Sequence, residues 1–174
     1  RLYYGEETEG YVIVKGSTPE FDYPQGKDNV YATYGGAGGV PVGGIFRRAL
    51  FAWYFKDPNL LLSSYITGDS RIMMRRTIQT RVRTIAPFLR LDRDPYMVVS
   101  EGRLFWMQDA YTASAYFPYS QPFAELQLNY IRNAVKVVID AYHGTVQFYV
   151  VDAADPIAAT YQRIFPGLLQ PFEA

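Results

Sequence analysis

The chain contains no cysteine, so it has neither a disulfide framework nor a thiolate zinc site and can work in an oxidising or a reducing compartment alike. Surplus charge is missing too: 17 basic residues balance 17 acidic ones, which argues against a nucleic-acid binder acting through bulk phosphate neutralisation. A membrane-spanning run is also absent. The longest uncharged stretch, 29–46, is broken by glycines and by Pro41, and no run within the 174 residues reads as a signal peptide. Histidine occurs once, at His143. A Ser-His-Asp triad would need that turn residue folded over Thr112, Ser114 or Ser120, and no nucleophile-elbow sequence is present.

What is abundant is aromatic surface. Phe, Trp and Tyr make up 17% of the 174 residues, and 16 of them are tyrosine, a ring that can be half buried while its hydroxyl stays wet. The length suits one domain, 1–174, with a real core, and hydrophobic residues at 49% exclude wholesale disorder. The first residue is Arg1 and the last four are Pro171-Phe172-Glu173-Ala174, so the sequence reads as an excised piece of a larger protein.

The most informative stretch is 134–151. Period-two alternation puts Val135, Val137, Ile139, Ala141, Val146, Phe148 and Val150 on one face of a β-hairpin. A two-residue turn at His143-Gly144 would set Ile139 against Phe148 and Val137 against Val150, whereas a three-residue loop would mix the faces. A second hairpin, over about 96–111, turns at Glu101-Gly102, pairs Val99 with Leu104 and Met97 with Trp106, and is apolar on both sides, which predicts cover on both. A third is expected over 2–15, around the acidic turn Gly5–Gly10. Residues 16–29 read as a loop, followed by a short strand at 30–33, and 109–121 reads as a Tyr- and Ser-rich loop.

Helices occupy the middle and the end. A helical block at about 45–86 opens with Ile45–Phe55, apolar nearly all round and therefore expected to be buried. Asp57-Pro58 starts a short helix through Leu62, and Asp69 or Ser70 caps a longer one that stops before Pro87. Asp155-Pro156 caps a final helix ending near 164. Antiparallel hairpins interrupted by a helical block make the fold class α+β.

Several strings together resemble uncharacterised protein family 0182. Among them are Asp57-Pro-Asn-Leu-Leu-Leu-Ser63, Asp92-Arg-Asp-Pro-Tyr96, Gly102-Arg-Leu-Phe-Trp106, Phe117-Pro-Tyr-Ser120, Asn129-Tyr-Ile-Arg-Asn133 and Ile164-Phe-Pro166. The family comprises bacterial multi-pass membrane proteins of unknown function. The resemblance implies a segment on the extracytoplasmic side of the cell membrane, with the remainder of the parent protein as partner and no catalytic residue to carry over.

Four groups of residues are candidates for a site. Asp92, Asp94 and Asp109 flank one predicted hairpin and could converge to bind a hard cation or share acid–base work; capping and turn roles are the competing reading. Gly36, Gly38 and Gly39 could cradle an anion on backbone N–H groups, but the loop lacks a P-loop ending, and close packing or a flexible turn is favoured. Arg75, Arg76 and Arg83, on the predicted Arg-rich helix, could meet anionic headgroups or wall polymers, against a solvated face. The Thr/Ser loop offers hydroxyls without a complete triad. No cofactor, resident metal or nucleic-acid partner is expected. The balance reads as a structural or interaction module, with a homo-oligomer or an envelope component as further partners. The alternative is part of a cell-envelope hydrolase or metal-dependent enzyme built on the three aspartates.

Overall fold

A computed structural model describes residues 1–123 and 127–172. They form two compact units: Arg1 with Thr8–Arg76, and Leu2–Glu7 with the chain from Thr77 onward. Helices and mostly antiparallel strands build both, so the expected α+β class holds.

The first unit contains β1 (Val12–Val14), β2 (Glu20–Gln25), β3 (Asp28–Ala32), β4 (Val40–Pro41), α1 (Ile45–Phe55), α2 (Asn59–Leu62) and β5 (Arg71–Met73). β5 is the middle strand of an antiparallel sheet, with Ile72 opposite both Ile13 of β1 and Val40 of β4. Ile72 joins Val42, Phe51, Ala52, Leu60 and Ile66 in the core. Each large side chain buried there contributes about 1.5–3 kcal/mol. Two hydroxyls tie the sheet to the loop before β5: Ser70 Oγ and Thr67 Oγ1 both donate to Lys15 O, at 2.9 and 3.1 Å.

Four expectations fail in this region. The 2–15 hairpin does not form: Val12–Val14 pairs with β5, and residues 2–7 belong to the other unit. Alternation marks a strand but not its partner. Residues 16–29 are not loop; β2 and β3 form a two-stranded ribbon that turns at Gly26 (φ +65°), where Pro24 is tolerated because a ribbon has a free edge on each side. The helix expected from residue 69 or 70 to 86 is replaced by β5 and a shorter helix, because Ile72 and Met73 are fully buried as a strand and Arg75 lies at φ +50°. Finally, α1 is not a buried helix: only Phe51 and Ala52 are buried.

The second unit contains α3 (Ile78–Ile85), β6 (Arg90–Leu91), β7 (Tyr96–Ser100), β8 (Arg103–Ser114), β9 (Tyr130–Asp140), β10 (Val146–Val150), α4 (Pro156–Ile164) and β11 (Leu169–Pro171). The sheet order is β11-β10-β9-β8-β6, with β7 also paired to β8. All neighbours are antiparallel except β10 and β11, which α4 connects as parallel strands. The expected loop 109–121 is strand as far as Ser114, which pairs with Tyr130 beyond a bulge at Ala110/Tyr111. Residues 124–126, between β8 and β9, lie outside the described residues, as do the terminal 173–174.

The 134–151 hairpin keeps its apolar face but not its register. Val137 pairs Phe148 and Ile139 pairs Val146, a slip of two residues from the two-residue turn. A slip of two preserves which side chains face inward. Val135, Val137, Ile139, Ala141, Phe148 and Val150 are all buried. The loop lengthens because the Asp140 carboxylate takes the N–H groups of Tyr142 and His143, both at 2.8 Å, and Gly144 N closes on Asp140 O at 2.8 Å. Residues 3 and 4 explain why Gly144 is glycine. Tyr3 N and Tyr4 N donate to Ala141 O, and the Tyr4 ring lies where a Cβ on Gly144 would sit, 2.3 Å away.

The 96–111 hairpin has the expected register, Met97 with Trp106 and Val99 with Leu104, through Glu101 (φ +50°) and Gly102 (φ +72°). Its expected cover is missing over β7, every residue of which is exposed, while Leu104 to Met107 of β8 are half-buried. The α4 start matches its sequence signature: Asp155 caps Ala158 N at 2.6 Å, with Pro156 in the first turn.

Candidate functional site

Asp92 and Asp109 do come together. Asp92 follows β6 and Asp109 lies on β8, and their pairing places Asp92 N 2.9 Å from Asp109 O. Gln108, fully buried, donates its Nε2 to Asp92 O at 3.0 Å and to Asp109 O at 3.1 Å, and Gln79 of α3 reaches Asp92 O at 3.4 Å. The two backbone segments are therefore fixed before any side chain is considered.

The side chains are already partnered. Asp109 stands opposite Lys136 of β9, and its Oδ1 takes the Lys136 ammonium at 2.5 Å and Asn133 Nδ2 at 3.2 Å. Lys136 also lies 3.4 Å from the Tyr96 hydroxyl and 5.6 Å over its ring. Burial opposes the charge on Lys136, but the bonds to Asp109 and Tyr96 and the Asp109 charge prevail, and its pKa is raised. Asp92 Oδ1 accepts from Arg93 N at 2.6 Å, while the Tyr111 hydroxyl lies 3.4 Å from Oδ2. Burial pushes the Tyr111 phenol up, and the Asp92 carboxylate adds to the effect. Asp94 is exposed ahead of β7 and stands outside this network. The arrangement is an ion pair with a tyrosine on either side, holding β8 to β9 beside the bulge. Two carboxylates sharing one proton would need a different geometry, with Asp109 free of the ammonium. Among the described residues no group of three or more His, Asp or Glu side chains is placed to hold a metal.

The glycine loop gathers oxygens rather than N–H groups. Arg71 donates Nε to Gly38 O at 2.7 Å and Nη2 to Ala37 O and Gly39 O at 2.9 and 2.8 Å. Gly38 N is spent on the Tyr34 hydroxyl at 2.8 Å. Wrapping a guanidinium in carbonyls is the converse of an anion cradle. Gly39 sits at φ +76°, where a Cβ would come within 2.9 Å of Ile72 O. Gly36 lies in the same loop.

The three arginines do not share a helix. Arg75 and Arg76 follow β5 in the first unit, and Arg83 lies exposed on α3 in the second, 3.5 Å from Gln79 Oε1. The hydroxyls of the Tyr/Ser loop are engaged locally: Thr112 donates to buried Asp155 at 2.8 Å, Ser114 accepts Tyr116 N at 3.0 Å, and Ser120 donates to Asn129 O at 2.5 Å.

Sequence reasoning missed two uncovered apolar surfaces. On α1, Phe46 is 89% and Trp53 78% exposed, joined by Ile45, Leu50 and Tyr54, with Leu62 of α2 at 82%. Beside them a groove of about 200 Å³ is lined by Leu50, Phe51, Tyr54, Met74 and Arg75. In the second unit β7 presents Tyr96, Met97, Val98 and Val99 along an edge whose only strand partner among the described residues is β8. The apolar runs were visible in the sequence; their exposure was not, because composition cannot show what covers a surface.

Comparison with known proteins follows the resemblance. The family model described as Uncharacterised protein family (UPF0182) matches residues 1–174. A UPF0182 protein of Bradyrhizobium diazoefficiens is 71% identical over 172 residues, covering 99% of this chain and 19% of the relative. One from Cupriavidus necator is 67% identical over 174 residues, again 19% of its length, and one from a Sulfurovum species is 53% identical over 176 residues. The chain thus spans about a fifth of the length of the curated relatives it matches. No solved structure matches.

Proposed function

Because the chain belongs to Uncharacterised protein family UPF0182, whose description carries no activity, we propose that it is a structural or interaction module of a bacterial integral membrane protein. On this reading it stands on the extracytoplasmic side and packs against the remainder of its own polypeptide. The membrane setting is taken from the family resemblance. Among the described residues no helix is long and apolar enough to cross a bilayer, so spanning helices are assigned to other parts of the parent protein.

The observation that carries the reading is β7. Its five residues, Tyr96-Met-Val-Val-Ser100, hold no charge and no proline, are apolar on both faces and are all exposed, with Val99 at 70%. Proteins guard such edges with charge, proline, a bulge or a covering segment, since a bare apolar edge invites pairing. The relatives' extra length supplies the covering chain in this reading. An enzyme built on Asp92 and Asp109 ranks second: their proximity favours it, and the Lys136 ion pair occupying Asp109 weighs against it.

The chain has no cysteine, so Val99→Cys introduces a single thiol into this segment. Maleimide should label it readily in the 1–174 chain and at least about tenfold more slowly in the full-length protein, as cover by packed chain requires. Equal rates would refute the packing claim. Lys27→Cys, in the β2–β3 turn, should react with a membrane-impermeant maleimide in intact cells; reaction only after lysis would refute the extracytoplasmic placement.

A further inference from the structure

We infer that the outward face of α1 and α2 is a contact surface for an anionic phospholipid bilayer, lying in the headgroup region without spanning it. This goes beyond the β7 reading and is independent of it, because it concerns the other unit and other residues; only the membrane setting is shared.

The argument begins with the helix. Positions 45, 46, 49, 50, 53 and 54 fall on one side of α1 at helical spacing, and they are Ile, Phe, Ala, Leu, Trp and Tyr, all exposed. The opposite side is used by Phe51 and Ala52 in the core. Roughly half the helix circumference is therefore apolar and uncovered, and Leu62 of α2 extends it. An uncovered apolar stripe on this scale marks an interaction site.

Charge selects the occupant. Segment 45–62 carries Arg47, Arg48 and Lys56 against one acid, Asp57. That carboxylate is taken by the Tyr11 hydroxyl and by Asn59 N, and the Tyr11 bond draws its pKa below the usual value. Arg48 is turned inward to Ile66 O, leaving Arg47 and Lys56 exposed on the segment, and exposed Arg75 lines the groove beside Leu50 and Tyr54. Trp53 and Tyr54 add amphipathic rings of the kind that settle at headgroup depth. Apolar bulk, interfacial aromatics and a cationic border are what an interfacial helix presents to anionic lipid.

The test uses the purified 1–174 chain with phosphatidylcholine vesicles, with and without phosphatidylglycerol. Trp53 should shift to the blue and be quenched by brominated lipid, while Trp106, whose indole donates to Tyr4 O, serves as the internal reference. Binding should require phosphatidylglycerol and weaken with salt. Phe46→Ser and Leu62→Ser, both at exposed positions, should each lower partitioning about tenfold with the circular dichroism unchanged. Arg47→Glu with Arg75→Glu should abolish the preference for anionic vesicles. The inference is overturned if no vesicle binds, if binding ignores Phe46→Ser and Leu62→Ser, or if Trp53 is already blue-shifted without lipid because copies of the chain associate through this face. Any of these results leaves the Val99 labelling experiment to stand or fall separately.

Discussion

Removing the Asp155 carboxylate should unfold the second unit at markedly lower denaturant. Asp155 is fully buried and accepts three bonds: Ala158 N at 2.6 Å, Tyr130 OH at 2.6 Å and Thr112 Oγ1 at 2.8 Å. In Asp155→Ala the lost helix cap costs about 1 kcal/mol. Two hydroxyls also lose their acceptor, at about 1–3 kcal/mol each if left unsatisfied. Thr112 Oγ1 retains Arg132 O at 3.4 Å and Tyr130 is only half buried, so both penalties belong at the low end. The expected loss is about 3 kcal/mol, a large share of a typical domain stability of about 5–15 kcal/mol. Asp155→Asn keeps one oxygen for the cap, and the hydroxyls can rotate to accept from its amide, so about 1 kcal/mol is expected. Burial holds the Tyr130 phenol above its ordinary pKa and the Asp155 bond and charge raise it further, so Asp155→Asn should bring it part of the way down. Urea unfolding followed by Trp106 fluorescence reads both variants, with an unchanged slope showing that the unfolding reaction is the same. A loss below about 0.5 kcal/mol for Asp155→Ala, or equal losses for the two variants, would refute the reasoning.

Two further outcomes follow from the 134–151 hairpin. Gly144→Ala places a Cβ 2.3 Å from the Tyr4 ring at φ +72°, so it should cost about 2–4 kcal/mol, and Tyr4→Ala in the same chain should recover the steric part; strict additivity in a double-mutant cycle would contradict this. Burial works to raise the Asp140 pKa, but the N–H groups of His143 and Tyr142 and the Arg103 guanidinium together hold it below the ordinary value. The native state then binds fewer protons than the unfolded one, so this stabilisation is complete above about pH 5 and is lost as pH falls through the native pKa. Thermal midpoints of wild type and Asp140→Asn should therefore converge in acid and diverge toward neutrality, and a gap independent of pH would count against the assignment.

Local chemistry was the legible part of this fold. Asp155-Pro156 announced α4, Glu101-Gly102 fixed the β7–β8 register, and the inward set Val135 to Val150 survived a turn of the wrong length because a two-residue slip leaves side-chain parity intact. Long-range pairing was not legible. Nothing near Tyr3 and Tyr4 signals that they dock on Ala141, and Ile72 reads as a helix residue until β1 and β4 are placed beside it. The candidate site divides the same way. Asp92 and Asp109 are expected near the ends of one hairpin, but β8 runs on through Asp109 to Ser114, and their proximity comes from the β6–β8 pairing, which the sequence does not announce. Lys136, the partner that neutralises Asp109, sits on a strand whose register with β8 depends on the bulge. Arg71 falls within the helix expected from residue 69 or 70 to 86, and instead it lies on β5 with its guanidinium inside the glycine loop. For α1 and β7 the apolar pattern is legible, but the expected burial rests on a rule that presumes whatever covers the surface lies within the same segment.

Amide hydrogen exchange across residues 96–107, compared between the full-length protein and the 1–174 chain, tests the central claim most directly. In an antiparallel edge strand alternate amides point away from the partner, so in the isolated chain the outward N–H groups of β7 should exchange rapidly while those bonded to β8 are retained. If β7 is covered by the rest of the polypeptide, the outward set becomes protected in the full-length protein. Rapid exchange of those amides in both would contradict the account.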